Sequence, residues 1–248
     1  MSTIDPDVLA DLAPTGVLRA AINYGNPVLA QRDADGNPGG VSTELASALA
    51  DELGVAIEFV TFDAAGKVFA ALPDSIWDLA FLAIEPVRSA EIEFSHPYVI
   101  IEGTYAVPDA SACKTVADLD RQGTRIAVGQ GAAYDLYLSR TLTAAELVRA
   151  PTSAAAVDWF VDQGLDAAAG VRQPLESFAA LNEGYRVLPD SFTEIRQAMA
   201  VPKGRTAGAH YVRAFLDQKL RSGFVAQALR ASGQADVRVG PALDDEPK

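Results

Sequence analysis

Between Asp78 and Tyr98 an apolar run, Leu79 to Ile84, gives way to Glu85, then to Arg88 three residues on, then to the aromatic stretch Phe94-Ser95-His96-Pro97-Tyr98. This reads as a buried strand whose end turns sharply and delivers one guanidinium. Such a group offers a planar fork of donors that pairs bidentately with a carboxylate. The alternative use of Arg88 is a surface ion pair with Glu91, three residues further along. A second feature is Gly129-Gln130-Gly131-Ala132-Ala133-Tyr134, which follows a strand-like run and opens a helix-like one. Amides at such a helix start can accept a small anion such as a carboxylate, or the segment is a plain strand-to-helix turn.

Several other chemistries are excluded. Gly66-Lys67 lacks both the upstream glycine and the following Ser or Thr of a phosphate loop. The Gly129 turn lacks the third glycine of a dinucleotide fingerprint. Neither a Gly-x-Ser-x-Gly elbow nor a His-Glu-x-x-His pair occurs. One cysteine, Cys113, cannot form an internal disulfide or a multi-thiolate site, and His96 and His210 lie far apart. No metal, cofactor or catalytic residue is therefore expected.

The elements that must carry these residues read as α/β. The chain has 248 residues, 49% of them apolar, enough for one large domain or two lobes with a core each. Net charge is −13, which argues against a nucleic-acid partner, since phosphate binding draws on clustered Lys and Arg. The longest charge-free run, Ala20 to Gln31, spans 12 residues, short of the roughly 20 that a membrane helix needs. The N-terminus has no basic stretch followed by an apolar one, so no secretory signal is read, and the protein is cytoplasmic if Met1 is the native start.

Val17 to Asn23 reads as a strand, and Ser42 as the cap of a helix with apolar positions at Leu45, Ala46, Leu49 and Leu53, stopped by Gly54. Strands follow at Val55 to Phe62 and Asp78 to Ile84, with a short helix between them at Ala65 to Leu72. The pattern restarts after Val107-Pro108 with a short helix at Thr115 to Asp120 and a strand at Arg125 to Val128. A helix at Ala132 to Leu142, a strand at Leu147 to Ala150, a helix capped by Ser153 and a strand at Leu165 to Gly170 come next. Gln197 to Val201 is strand-like, and two amphipathic helices, Gly208 to Leu220 and Phe224 to Ala231, close the chain. The expected organisation is two lobes, 1–103 with 199–248 and 104–198, joined by a double-stranded hinge near residues 102–107 and 195–202. Ligands favour the cleft of such an arrangement.

The ordered motifs resemble the family 3 solute-binding proteins of amino-acid importers. Asp78 to Arg88, with Phe94-Ser95-His96-Pro97-Tyr98 starting six residues after the arginine, carries the resemblance, as do Gly36-x-x-x-Gly40-Val41-Ser42-Thr43-Glu44, Val116 to Leu119 with Arg125 to Gly131, and Gly164-Leu165-Asp166-Ala167. What the resemblance implies is a type II periplasmic-binding-protein fold that closes on a small carboxylate-bearing solute, an amino acid or related organic acid. Arg88 would grip the carboxylate, aided by the backbone of Gly131, Ala132 and Ala133. It further implies a monomer, a periplasmic location and an ABC permease as partner.

Within that resemblance, Ala83 and Glu85 stand where the family carries Ser or Thr, and Val171 where it carries an amine-binding aspartate. Glu85 is then the remaining candidate for an ammonium. Lys67, Arg88 and Arg172 together would favour a solute with more than one negative group, although Lys67 and Arg172 are equally readable as solvated side chains. Tyr24 and Asn26 fall in the first loop, where the family places ligand contacts; Asn26 could bond a ligand and Tyr24 wall the pocket, or both could simply form the turn. Tyr134, Trp159 and Gln173 are further second-lobe candidates, with Trp159 better read as core. The runner-up function is an enzyme on the same scaffold, like the cyclohexadienyl dehydratases, with Glu85 as general acid; a cytosolic solute sensor is another.

Overall fold

The computed structural model describes residues 4–243. The chain divides into two compact units: unit 1 comprises Met1–Phe62, Lys67–Ile100 and Arg196–Lys248, and unit 2 comprises Asp63–Gly66 and Ile101–Ile195. Two long strands, Ile92–Pro108 and Thr193–Pro202, contribute residues to both. The fold class is α/β, with strands paired in parallel around Val17–Asn23 and Arg125–Gly129 and antiparallel strands added beside them.

In unit 1 the central strand Val17–Asn23 pairs in parallel with Ala56–Phe62 on one side and Leu79–Ala83 on the other. Thr193–Pro202 then adds antiparallel to Leu79–Ala83, Gln197 facing Ala83. Leu79–Ala83 is buried at every position, the continuous apolar look that a covered parallel strand requires. The Val41–Leu53 helix buries Val41, Leu45, Ala46, Leu49 and Leu53 along one face. It ends on Gly54 in the left-handed region at φ 70°, the conformation that glycine adopts without steric cost.

Its start differs from the expectation. Gly40, not Ser42, is the capping residue. A Cβ on Gly40 would stand 2.6 Å from the Leu29 carbonyl oxygen, and its φ is +95°, so the chain turns where only glycine fits. Ser42 lies inside the helix, buried, with its hydroxyl 3.1 Å from that of Tyr98.

Asp78, fully buried, joins two arginines in unit 1. Its carboxylate accepts from Arg19 Nε at 2.7 Å and Nη2 at 2.8 Å, and from Arg205 Nη1 at 2.8 Å. Arg205 also donates to the Asp11 carbonyl at 2.7 Å, and the Gly208 amide donates to the Asp11 carboxylate at 2.9 Å. The Thr206–Arg221 helix is thereby fixed against the Pro6–Leu12 helix, whose first turn is set by Pro6 and the Asp5 cap.

In unit 2, Arg125–Gly129 pairs in parallel with Glu146–Ala150 and Ala167–Val171, and the latter runs antiparallel to the second half of Ile92–Pro108, Gly103 facing Val171. Small residues on these strands, Ala106, Ala127, Ala150 and Ala168, let Phe160, Leu165 and Leu175 approach closely. Phe178, Tyr185 and Trp159 pack around that core, so Trp159 takes the core role. The Ser153–Asp162 helix is capped by Thr152, whose hydroxyl accepts the Ala155 amide at 3.0 Å. Ser153 instead receives the Tyr134 hydroxyl at 2.8 Å.

Asp120 gathers the loop that precedes Glu146–Ala150. Its carboxylate accepts the amides of Thr143, Ala144 and Ala145 and the Thr143 hydroxyl. Those backbone donors pull its pKa down to about 2. An unfolded aspartate titrates near about 3.9. A depressed folded value means that the cap's contribution is complete above the unfolded pKa and is lost as pH falls from about 4 towards 2. Acid titration of an Asp120→Asn variant should show a shallower loss of stability over that window than the parent; identical acid limbs would rule the cap out as a contributor.

Candidate functional site

Parallel strands gather the loops that follow them onto one edge, the carboxyl edge, where ligands bind in open α/β sheets. In unit 1 that edge carries Tyr24 and Asn26 after Val17–Asn23, Lys67 in the helix after Ala56–Phe62, and Glu85 and Arg88 after Leu79–Ala83. The sequence-predicted residues of the first lobe thus share one edge of one sheet.

Arg88 is the buried centre of this set. It lies in the short Pro86–Ser89 helix and is 1% exposed. Its Nη1 donates to the Ala83 carbonyl at 3.1 Å. Burial pulls the guanidinium pKa down to about 10, while the neighbouring Glu85 charge raises it. It therefore stays protonated at neutral pH, a full positive charge withdrawn from water. Ala83 contributes this carbonyl and a small buried side chain. Glu85, 8% exposed, precedes the helix and accepts the Ser89 hydroxyl and the Arg88 amide through its backbone carbonyl.

Asn26 is buried and folds its own turn: its side-chain oxygen accepts the Val28 amide at 3.3 Å, and its carbonyl accepts Leu29 and Ala30. Tyr24 is half-buried, with its ring under the Arg32 guanidinium at 4.0 Å and its amide donating to the Phe62 carbonyl. Lys67 is exposed, in the last turn of Ala65–Ala70.

Unit 2 has a carboxyl edge of its own, carrying Gly131, Ala132 and Ala133 after Arg125–Gly129, and Arg172 and Gln173 after Ala167–Val171. Gly131 takes φ +70°, and its amide donates to the Asp135 carboxylate at 2.8 Å. Asp135 is buried and is held in turn by Arg149 Nε at 3.0 Å. An internal carboxylate therefore stands on the Gly131 amide, where sequence reading placed the anion of a ligand. The Ala132 amide closes the turn on the Gly129 carbonyl, and Ala133, buried, begins the helix Ala133–Thr141.

Val171 ends its strand, 9% exposed, and caps the Arg172–Leu181 helix with no side-chain bond. Arg172 is turned towards its own unit. Nε pairs with Glu102 at 2.5 Å, Nη1 donates to the Leu188 carbonyl at 3.1 Å, and Nη2 donates to the carbonyls of Pro189 and Asp190 at 3.3 and 3.0 Å. Its guanidinium thus ties the helix start to two distant stretches of chain. Gln173 keeps its side-chain oxygen buried, with no hydrogen-bond partner among the described residues.

Arg32 was not among the residues that sequence reading selected. Its position over Tyr24 depends on the hairpin of Gln31–Arg32 and Pro38–Gly39 folding back on the first loop; no local pattern marks it. A cavity of about 240 Å³ beside this hairpin is lined by Arg32, Asp33, Glu44 and Ala228 among others, and by none of the predicted site residues. Among the described residues no cluster of His, Cys, Asp or Glu is placed to hold a metal ion, and no helix is long and apolar enough to cross a membrane.

No curated protein matches the sequence. Solved structures do. The cysteine-binding protein of Campylobacter jejuni superposes with a TM-score of 0.81 at 21% identity, over 94% of this chain and 98% of that one. A mutant of ArgBP from T. maritima gives 0.78 at 21%, over 91% and 99%. The ancestral amino acid-binding protein AncCDT-1, a precursor of cyclohexadienyl dehydratase, gives 0.76 at 25%, over 90% and 98%. These likenesses carry the type II periplasmic-binding-protein fold. The family match covers residues 18–231, most of the sequence and every site residue discussed above: the chain belongs to the bacterial extracellular solute-binding proteins, family 3.

Proposed function

We propose that the protein binds a small carboxylate-bearing solute of the amino-acid or organic-acid type through Arg88, as the monomeric solute-binding component of an ABC-type importer with a membrane permease as partner. The observation that carries this reading is the guanidinium of Arg88, 1% exposed on a carboxyl edge where solutes bind. Withdrawing a cation from water is costly unless an anion and hydrogen-bond acceptors meet it. The Ala83 carbonyl accepts from Nη1, and a guanidinium fork is a shape that a planar carboxylate pairs with bidentately. Membership of a solute-binding family and the likeness to an amino acid-binding ancestor support the same class of solute.

A thermal-shift screen of amino acids, dicarboxylates and aromatic acids tests the reading. A solute that binds the folded state alone stabilises it by roughly 2.7 kcal/mol at one hundred times its dissociation constant. For a chain of this length that is a rise in melting midpoint of about 5–10 °C. A broad carboxylate panel with no member that moves the midpoint overturns the proposal.

A further inference from the structure

We infer that Arg32 is a specificity-determining residue of the unit 1 site, and that the solute it selects carries a second acidic group besides the carboxylate assigned to Arg88. The inference rests on the proposed function and narrows its class of solute.

The argument begins with register. Ala20 faces Leu79 and Ala21 faces Ala80 across the parallel pair, so the loop after Val17–Asn23 and the turn after Leu79–Ala83 leave neighbouring strands on the same edge. Neighbouring strands lie about 4.8 Å apart. Tyr24 therefore opens its loop on the same edge of the sheet as Arg88. Its hydroxyl oxygen is buried and has no hydrogen-bond partner among the described residues. A desolvated hydroxyl without a partner is costly, and such a group in a binding edge is satisfied when a ligand supplies the missing acceptor or donor.

Arg32 adds charge beside Tyr24. Its guanidinium carbon lies 4.0 Å from the centre of the Tyr24 ring, within the range in which a cation is attracted to an aromatic face. The hairpin holds it there. Arg32 pairs with Pro38 across the two short strands, and its Nη1 donates to the Gly36 carbonyl at 3.3 Å. The Gln31 side-chain amide donates to the Pro27 carbonyl, which fastens the hairpin to the first loop.

Asp33 is near enough to be felt at the phenol, where its negative charge opposes that of Arg32. Its oxygens are already engaged by the amides of Asp35 and Asn37 and by the Asn37 side chain. A carboxylate accepts hydrogen bonds only, and here it would meet a phenol donor and a cation together. A neutral amide of the same shape would gain the hydrogen bond but not the charge. The extra cations that sequence reading offered were Lys67 and Arg172. Arg172 is committed to Glu102 and three carbonyls, and Arg32 takes its place.

Calorimetry with two pairs of near-isosteric probes tests the inference: glutamate against glutamine, and succinate against succinamate. Each acid should bind about tenfold more tightly than its amide. Arg32→Ala should remove about that tenfold from the acid and leave the amide within about twofold, while Arg32→Lys keeps most of the preference. Raising the salt should narrow the gap between acid and amide in the parent. Arg32 is exposed, so the variants fold. Equal losses for acid and amide in Arg32→Ala, or no loss for either, overturn the role of Arg32. An Arg88-dependent solute that lacks a second acidic group overturns the inference and leaves the proposed function standing. Failure of every carboxylate in the wider panel overturns the proposed function, and this inference with it.

Discussion

Replacing Asp78 with asparagine should lower the unfolding free energy by about 3–5 kcal/mol, the cost of removing one partner from a buried ion network. The side chain would keep its shape. Arg19 and Arg205 would lose the only charge that their 2.7 and 2.8 Å bonds reach in this carboxylate. Both arginines are four-fifths covered, so they cannot simply turn into water. For a chain of this length the expected fall in melting midpoint is on the order of 10 °C. Scanning calorimetry of the variant is the measurement, and a loss below about 1 kcal/mol would show that the network contributes little beyond its hydrogen bonds. The effect reaches the site, because Asp78 anchors the first end of the strand whose other end presents Ala83, Glu85 and Arg88.

Arg88→Ala should raise the dissociation constant of the solute by about a hundred- to several-thousandfold, corresponding to about 3–5 kcal/mol for a carboxylate left unpaired in a dry setting. The Ala83 carbonyl would lose a donor and Glu85 a neighbouring cation, so some stability goes as well. Arg88→Lys separates the two effects. It restores the charge without the planar fork and should recover part of the affinity but not all of it. Titration calorimetry on both variants, with circular dichroism to establish that each is folded, measures this. An alanine variant that is folded and binds like the parent would remove Arg88 from the site.

The order of strands and helices was legible because periodicity in this chain is strong where burial is strong. Leu79 to Ala83 is apolar throughout and buried throughout, and Leu45, Leu49 and Leu53 mark a helix face in sequence as they do in space. The Arg172–Leu181 helix escaped, because it opens on Arg-Gln-Pro, and Pro174 reads as a breaker; in a first turn, where amides lack intrahelical partners, proline is tolerated. Caps were misplaced by one or two residues: Thr152 offers the same hydroxyl chemistry as Ser153, whereas Gly40 caps without a side chain because the turn there admits only glycine. The turn that presents Arg88 after a buried strand could be read from the residue order. The occupations of Arg172 and Arg32 could not, for one depends on Glu102 and Leu188–Asp190 far along the chain, and the other on a hairpin stacking against an aromatic ring.

The division of unit 1 among three separate stretches of sequence has a consequence for how the protein is made. Synthesis delivers Asp78 and Arg19 early, but Arg205 lies 127 residues beyond Asp78, with Ile101–Ile195 of unit 2 emerging in between. That stretch carries nearly all of unit 2 and can close its own sheet as it leaves the ribosome. Unit 1 must wait with the Leu79–Ala83 strand lacking its antiparallel neighbour and the Pro6–Leu12 helix lacking the Thr206–Arg221 helix against which it packs. The half that carries Arg88 is thus the last to mature, and its unpaired strand edge is the surface that a nascent chain would most need shielded.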